Sequence, residues 1–283
     1  MTENKNEKTT LKWNVLPTIR PSLTRDIPYG DESLMWVANT ATLIHGEKDA
    51  VLVDTFLTAD QNKALIDWVV SSGKNLTTIY ITHGHGDHFF GIKMLLDRFP
   101  NARAIATSGA IQFMKEESSR GNFWEELFPG QLPEDIVTAE ELEGNEFELE
   151  GHKMVSIDTG FTDSKDTTVL HVPSIGLVVA GDVAYNGIHP YMANTNKQTR
   201  LEWIDALDRI EALKPSAVVV GHKKPLNEDN PEIIAETRKY IQDFNRLDEV
   251  TTTSDELFKK MLEIYPDRAN PGSLWSSAKA VKS

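Results

Sequence analysis

Six consecutive residues constrain this chain more than any others: His83-Gly84-His85-Gly86-Asp87-His88, set directly after the apolar run Thr77 to Thr82. In extended backbone, alternate side chains share a face, so His83 and His85 can point at one ion. Asp87 and His88 come where the chain turns into a helix, and can face a second ion. The two glycines allow tight turns without a Cβ clash. No cysteine occurs in the 283 residues, so there is no thiolate ligand, no disulfide and no cysteine nucleophile. Any metal must be held by imidazole and carboxylate, a donor set that suits zinc and also iron or manganese. The alternative is a histidine-rich surface turn, but polar groups crowded at a strand's C-terminal end rarely lack a role.

The net charge of -14, from 43 acidic against 29 basic residues, disfavours nucleic acid and anionic membrane as partners. The densest basic stretch, Lys223-Lys224, is too short to override it. No apolar run approaches the ~18 residues of a membrane span. Residues 1–12 read as a disordered lead-in with neither a signal peptide nor an anchor, so a cytoplasmic protein is expected. Residues 13–283 are expected to form a single domain ending in helices.

Thr42 to His45 and Ala50 to Asp54 form a hairpin pattern around Gly46-Glu47-Lys48-Asp49. Helical spacing over Ala59 to Ser72 stops at Gly73, and Thr77 to Thr82 reads as a buried strand. Helices are expected over Phe89 to Phe99 and Gly109 to Leu127, with a strand at Ala102 to Ala106 between them. Short strands follow at Glu146 to Glu150, His152 to Asp158, Thr167 to Val172 and Leu177 to Ala180. Leu201 to Leu213, Pro231 to Leu247 and Ser254 to Tyr265 read as helices, with a strand at Ala217 to Val220 and a polar tail at the end. Two blocks of mostly antiparallel strands, each with covering helices, suggest two packed sheets with helices outside. Pro129 to Gly144 is the longest irregular connection.

Thr82-His83-Gly84-His85-Gly86-Asp87-His88 resembles the H-x-H-x-D-H motif of the metallo-β-lactamase superfamily, and the resemblance runs from about Asn39 to His222. Asp54-Thr55-Phe56 is similar to the family's D-T-G element, which implies that Asp54 supports a metal ligand. Gly181-Asp182 is similar to the G-D element whose aspartate bridges two metals, and Val220-Gly221-His222 to the segment carrying the last histidine. The resemblance implies an α+β fold, a four-layer αββα sandwich of two mixed β-sheets flanked by helices. It implies one or two zinc ions, the first held by His83, His85 and Asp182, the second by Asp87, His88, Asp182 and His222. One position departs from the pattern. Where the family usually carries a histidine, the stretch Asp158-Thr159-Gly160-Phe161-Thr162-Asp163 puts Phe161, which cannot coordinate. A weak first metal, a single-metal enzyme, or a substitute ligand from Asp158, Asp163 or water all follow as options.

The implied chemistry is hydrolysis of a small acyl substrate (ester, lactone, thioester or amide) by metal-activated water. Asp87 is a candidate to orient that water or take its proton, in competition with a ligand role, and Tyr185 a candidate to protonate the leaving group. Tyr185, His189 and Tyr191 are candidate donors to an oxyanion. His45, His152 and His171 read as structural or surface residues, and Glu116-Glu117 and Glu125-Glu126 as a solvated helix face. Phe89, Phe90, Phe123, Trp124 and Phe128 fit an apolar pocket and core packing equally well. Glyoxalase II-like thioesterases share the motif but need the histidine that Phe161 displaces. The other readings are a non-catalytic metal-binding or ligand-sensing protein with a degraded first site, and a phosphodiesterase of the same fold. A small molecule is the expected partner, and the assembly state is open, a homodimer among the options.

Overall fold

A computed structural model describes residues 10–120 and 122–283. The first half of the chain makes a six-stranded sheet in chain order: β1 (Lys12–Pro21), β2 (Trp36–His45), β3 (Asp49–Val53), β4 (Asn75–Tyr80), β5 (Arg103–Ala106) and β6 (Glu140–Glu141). Its helices are α1 (Ala59–Ser71), α2 (Gly86–Phe89), α3 (Ile92–Arg98), α4 (Ser108–Ser118) and α5 (Phe123–Leu127). The second half adds β7 (Glu146–Leu149), β8 (His152–Gly160), β9 (Thr167–Val172), β10 (Leu177–Val179), β11 (Tyr185–Asn186), α6 (Lys197–Ala212), β12 (Ala217–Val219) and β13 (His222–Lys223). Three helices close the chain: α7 (Glu232–Val250), α8 (Ser254–Ile264) and α9 (Pro271–Val281). The second sheet runs β12-β10-β9-β8-β7, and β11 pairs with β13.

Strand periodicity explains the layering. Ile44, Val51, Val53 and Tyr80 meet Leu170, Leu177, Val179 and Val219 between the sheets. Their neighbours point the other way. Leu43, Leu52 and Ile79 pack with Leu65, Val69, Leu95 and Met114 of α1, α3 and α4. On the far side, Val169, Val178 and Val218 pack with Trp203 and Leu207 of α6 and Tyr240 and Phe244 of α7. Successive strand residues therefore face a sheet and a helix in turn. The result is the expected four-layer α+β sandwich of mixed sheets, in which each fully buried Val, Leu or Ile contributes roughly 1.5–3 kcal/mol. Tyr80 brings a polar group between the sheets. Its hydroxyl bonds Ser156 at 2.6 Å and Thr168 at 2.7 Å, and burial pushes its pKa up to about 12.

The first sheet is less antiparallel than its sequence suggests. β1, β2 and β3 pair antiparallel, but β3 to β6 pair parallel, with helices in the crossovers. β1 itself has no counterpart in the expected elements. Pro17 and Pro21 obscure it, and both are tolerated because β1 is an edge strand. The expected lead-in is too long at its end, since Leu11 is buried and Lys12 pairs with His45, while residues 1–9 lie outside the described residues. Two expected helices are each broken. Gly91 divides the first, its backbone N–H donating to Thr55 Oγ1. In the second, the Ser118 and Ser119 hydroxyls bond the carbonyls of Met114 and Glu116 where α4 ends. The expected polar tail is helix α9, which Pro271 starts and whose buried face is mostly small: Gly272, Ser273, Leu274, Ser277 and Ala278. Among the described residues, no helix is long and apolar enough to cross a membrane.

Candidate metal centre

Asp54 follows β3, His83 follows β4, Asp182 follows β10, and His222 follows β12. β3 and β4 are parallel neighbours, as are β10 and β12, so each pair delivers its residues at strand C-terminal ends. Two groups of potential ligands result: His83, His85, Asp163 and Asp182, and Asp87, His88 and His222. In the first, His85 Nδ1 lies 2.9 Å from Asp163 Oδ2 and 3.2 Å from His83 Nε2. In the second, His222 Nε2 lies 3.8 Å and His88 Nε2 4.0 Å from Asp87. Asp182 joins the two, with Oδ1 3.3 Å from His88 Nε2 and Oδ2 3.1 Å from His222 Nε2.

Three imidazoles have their outward nitrogen fixed. His222 Nδ1 donates to the Ala38 carbonyl at 2.7 Å, and His88 Nδ1 to Asp54 Oδ2 at 2.9 Å. The Thr82 hydroxyl donates to Asp54, so it can accept from His83 Nδ1 at 3.1 Å. In the neutral, metal-binding form of each ring, Nε2 then turns its lone pair toward the cluster. Asp54 also accepts from the Thr82 amide at 2.8 Å, and does so from the left-handed region at φ 62. Asp87 is held from the other side by Asn39 Nδ2 at 2.8 Å and Arg20 at 3.7 Å. A Cβ on Gly221 would strike Asp182 Oδ1 and His88 Cε1, so only glycine lets these groups approach.

Whether the site fits a cation is decided by three buried atoms. Asp163 Oδ2, Asp182 Oδ1 and His88 Nε2 make no hydrogen bond although polar neighbours lie within 3.3 Å. A buried polar atom without a partner costs about 1–3 kcal/mol, and here the acceptor atoms turn toward common points. Such an arrangement fits a divalent ion. The charges agree. Burial opposes ionisation of Asp182 and Asp87, yet the facing His88 and His222 hold both carboxyls well below the ordinary range. Burial and the His88 charge lower His83 to about 4, whereas Asp163 carries His85 up to about 9 against its burial.

Asp163 therefore joins His83 and His85 where Phe161 offers nothing. Asp158 is exposed, its carboxylate accepting from the Gly160 amide at 2.8 Å. Tyr185 donates its hydroxyl to Asp182 Oδ2 at 2.8 Å and stacks on His222 at 5.3 Å. His189 is buried with Nδ1 2.8 Å from the Tyr240 hydroxyl, and His45, His152 and His171 belong to neither cluster. The solvated face expected at Glu116-Glu117 needs correction at Glu117. It is buried, takes a bond from Arg120 and lines the cavity over the clusters. Arg20 and Asn39 were not legible as site residues, because they reach Asp87 through the sheet and not through any local motif.

The clusters open into a cavity of about 430 Å³ lined by His85, Asp87, Asp163, Asp182, Tyr185 and His222, among others. A family model described as "Metallo-beta-lactamase superfamily" matches residues 34–222. The chain is 27% identical over 196 residues to the uncharacterized protein YobT of Bacillus subtilis, covering 64% of this chain and 82% of that one. It is 31% identical over 71 residues to a hydroxyacylglutathione hydrolase of Francisella tularensis, covering 25% of this chain and 27% of that enzyme. Among solved structures, the metallo-beta-lactamase family protein TTHA1429 of Thermus thermophilus superposes with a TM-score of 0.64 at 20% identity, over 95% of this chain and 91% of that one.

Proposed function

Because this chain belongs to the metallo-β-lactamase superfamily, whose members are mostly hydrolases, we propose that it is a metal-dependent hydrolase of small acyl substrates, cleaving an ester, lactone, thioester or amide bond with water. The observation that carries the proposal is the convergence of both ligand groups, joined by Asp182, on one open cavity. Zinc is the proposed metal, with iron or manganese compatible with the same nitrogen and oxygen donors. His83, His85 and Asp163 would hold one ion, Asp87, His88 and His222 the other, and Asp182 would bridge them. When bound, the metal supplies an acidified water and a Lewis acid for the carbonyl oxygen.

The remaining roles belong to the chain. Asn39 and Arg20 fix Asp87 facing His88 and His222, an arrangement that supports a ligand role over that of proton acceptor. Tyr185 keeps Asp182 in register, and as a cavity residue it is the proposed hydrogen-bond donor to an oxyanion, turning its one proton from Asp182 to substrate. Asp163 argues against a degraded first site and so against a purely sensory protein. The partial likeness to a hydroxyacylglutathione hydrolase keeps thioesters among the candidate bonds. The net charge of -14 supports a small-molecule partner over nucleic acid.

The test is a panel of ester, lactone, thioester, β-lactam and phosphodiester substrates, run before and after chelation. At least one acyl substrate is expected to turn over, to stop on metal removal and to recover with added zinc or manganese. Activity surviving exhaustive chelation, or confined to phosphodiesters, would contradict the reading.

A further inference from the structure

The cavity above the ligand clusters has His85, Asp87, Asp163, Asp182 and His222 in its lining, and its exposed rim carries four apolar side chains beside Arg120 and Asn194. Leu23, Phe123, Leu127 and Tyr191 all line it and remain between 37 and 45 % exposed. Isolated exposed apolar side chains are ordinary, but a patch gathered around one cavity marks a place where something apolar binds. These four come from three separate segments: the loop after β1, helix α5 and the loop after β11. Phe123 and Leu127 stand four apart on α5, so they share a face. Trp124, between them in sequence, also lines the cavity and packs on Phe90 at 5.6 Å and Phe128 at 6.3 Å, which ties the helix to the core. The Arg120 guanidinium lies 3.8 Å over the Phe123 ring while paired with Glu117, so the charge at this wall is already matched.

A ligand that fills such a space carries a polar group at one end and an apolar body at the other. Resting on the hydrolase reading above, we propose that the substrate is an acyl compound with a medium-length hydrocarbon chain: its carbonyl group meets the ligand clusters and its chain lies along Leu23, Phe123, Leu127 and Tyr191. In hydrolysis the water oxygen bonds to the acyl carbon as the acyl–heteroatom bond breaks, one water proton goes to the leaving group and the other to solvent, and the matching carboxylate is left as product. Straight-chain carboxylates are therefore product mimics, usable without knowing the natural substrate.

The experiment measures binding of butanoate, hexanoate and octanoate to the zinc-loaded full chain by calorimetry, for the wild type and for Phe123→Ser/Leu127→Ser. Burial of each methylene is worth up to about fourfold in affinity. Tightening of about two- to fourfold per added methylene is expected in the wild type, and a slope reduced by half or more in the double variant. Both side chains are exposed, so the variant is expected to melt within a few degrees of the wild type. Affinities that do not change with chain length would overturn the proposal. So would an unchanged slope in the double variant, including the case where that variant alters only the oligomeric state, which would make the patch a subunit interface. Zinc binding with a flat series overturns this inference alone, whereas failure to bind zinc, manganese or iron removes the hydrolase reading beneath it.

Discussion

Asp182→Asn is expected to lower hydrolysis by more than about a hundredfold and to release metal from both positions. Residues that merely orient ligands already cost about 10–100-fold in metal affinity or activity when changed, and Asp182 stands between both clusters. Its two oxygens face His88 Nε2 at 3.3 Å and His222 Nε2 at 3.1 Å, and its neighbour Tyr185 donates to it. Asparagine keeps the shape and one acceptor for Tyr185 but loses the charge and offers an amide where a lone pair is needed. The fold should survive, because the substitution is close to isosteric. Metal content by elemental analysis separates the cause from misfolding. A folded variant that retains two equivalents of metal would show that Asp182 does not bridge.

The second large effect falls on stability as well as activity. Asp54→Ala is expected to destabilise the fold by about 3–5 kcal/mol, the cost of removing one partner of a buried pair, and to weaken metal binding about 10–100-fold. Asp54 is 2 % exposed and receives bonds from His88 Nδ1, the Thr82 amide and the Thr82 hydroxyl. Without it His88 loses the acceptor that fixes its tautomer, and through Thr82 so does His83. Alanine also fits the φ of 62 poorly, whereas aspartate and asparagine tolerate that region. Asp54→Asn should therefore lose less stability than alanine while still weakening metal binding. Urea unfolding of both variants measures the difference, and equal losses would place the whole effect in the side chain and none in the backbone.

What the sequence disclosed follows from how local each signal is. The histidine run, Gly181-Asp182 and Gly221-His222 each sit at a strand end, where a short motif and its geometry coincide. The layering was legible in the order of the elements, two blocks of short strands each with helices able to cover an outer face. Strand β1 was hidden by prolines that only an edge position tolerates, and with it went Arg20. Asn39 reaches Asp87 across 48 residues of sequence, which no window detects. Phe161 drew attention to a missing imidazole, but the carboxylate that stands beside His85 lies two residues further on. Thr162 Oγ1 bonds Asp163 Oδ1 at 2.9 Å, and a left-handed Asp166 shapes the turn that brings Asp163 to His85. Turn geometry of that kind is set by tertiary packing and leaves only a choice of nearby carboxylates in the sequence. Helix α9 shows the converse, since small buried residues give little hydrophobic contrast to read.

The most direct measurement is anomalous scattering from crystals of the metal-loaded full chain. Two peaks are expected, one among His83, His85 and Asp163 and one among Asp87, His88 and His222, with Asp182 contacting both. A single peak in the second position with the Asp163 carboxylate turned away from His85, or no peak at either, would contradict the two-metal centre on which the proposed chemistry stands.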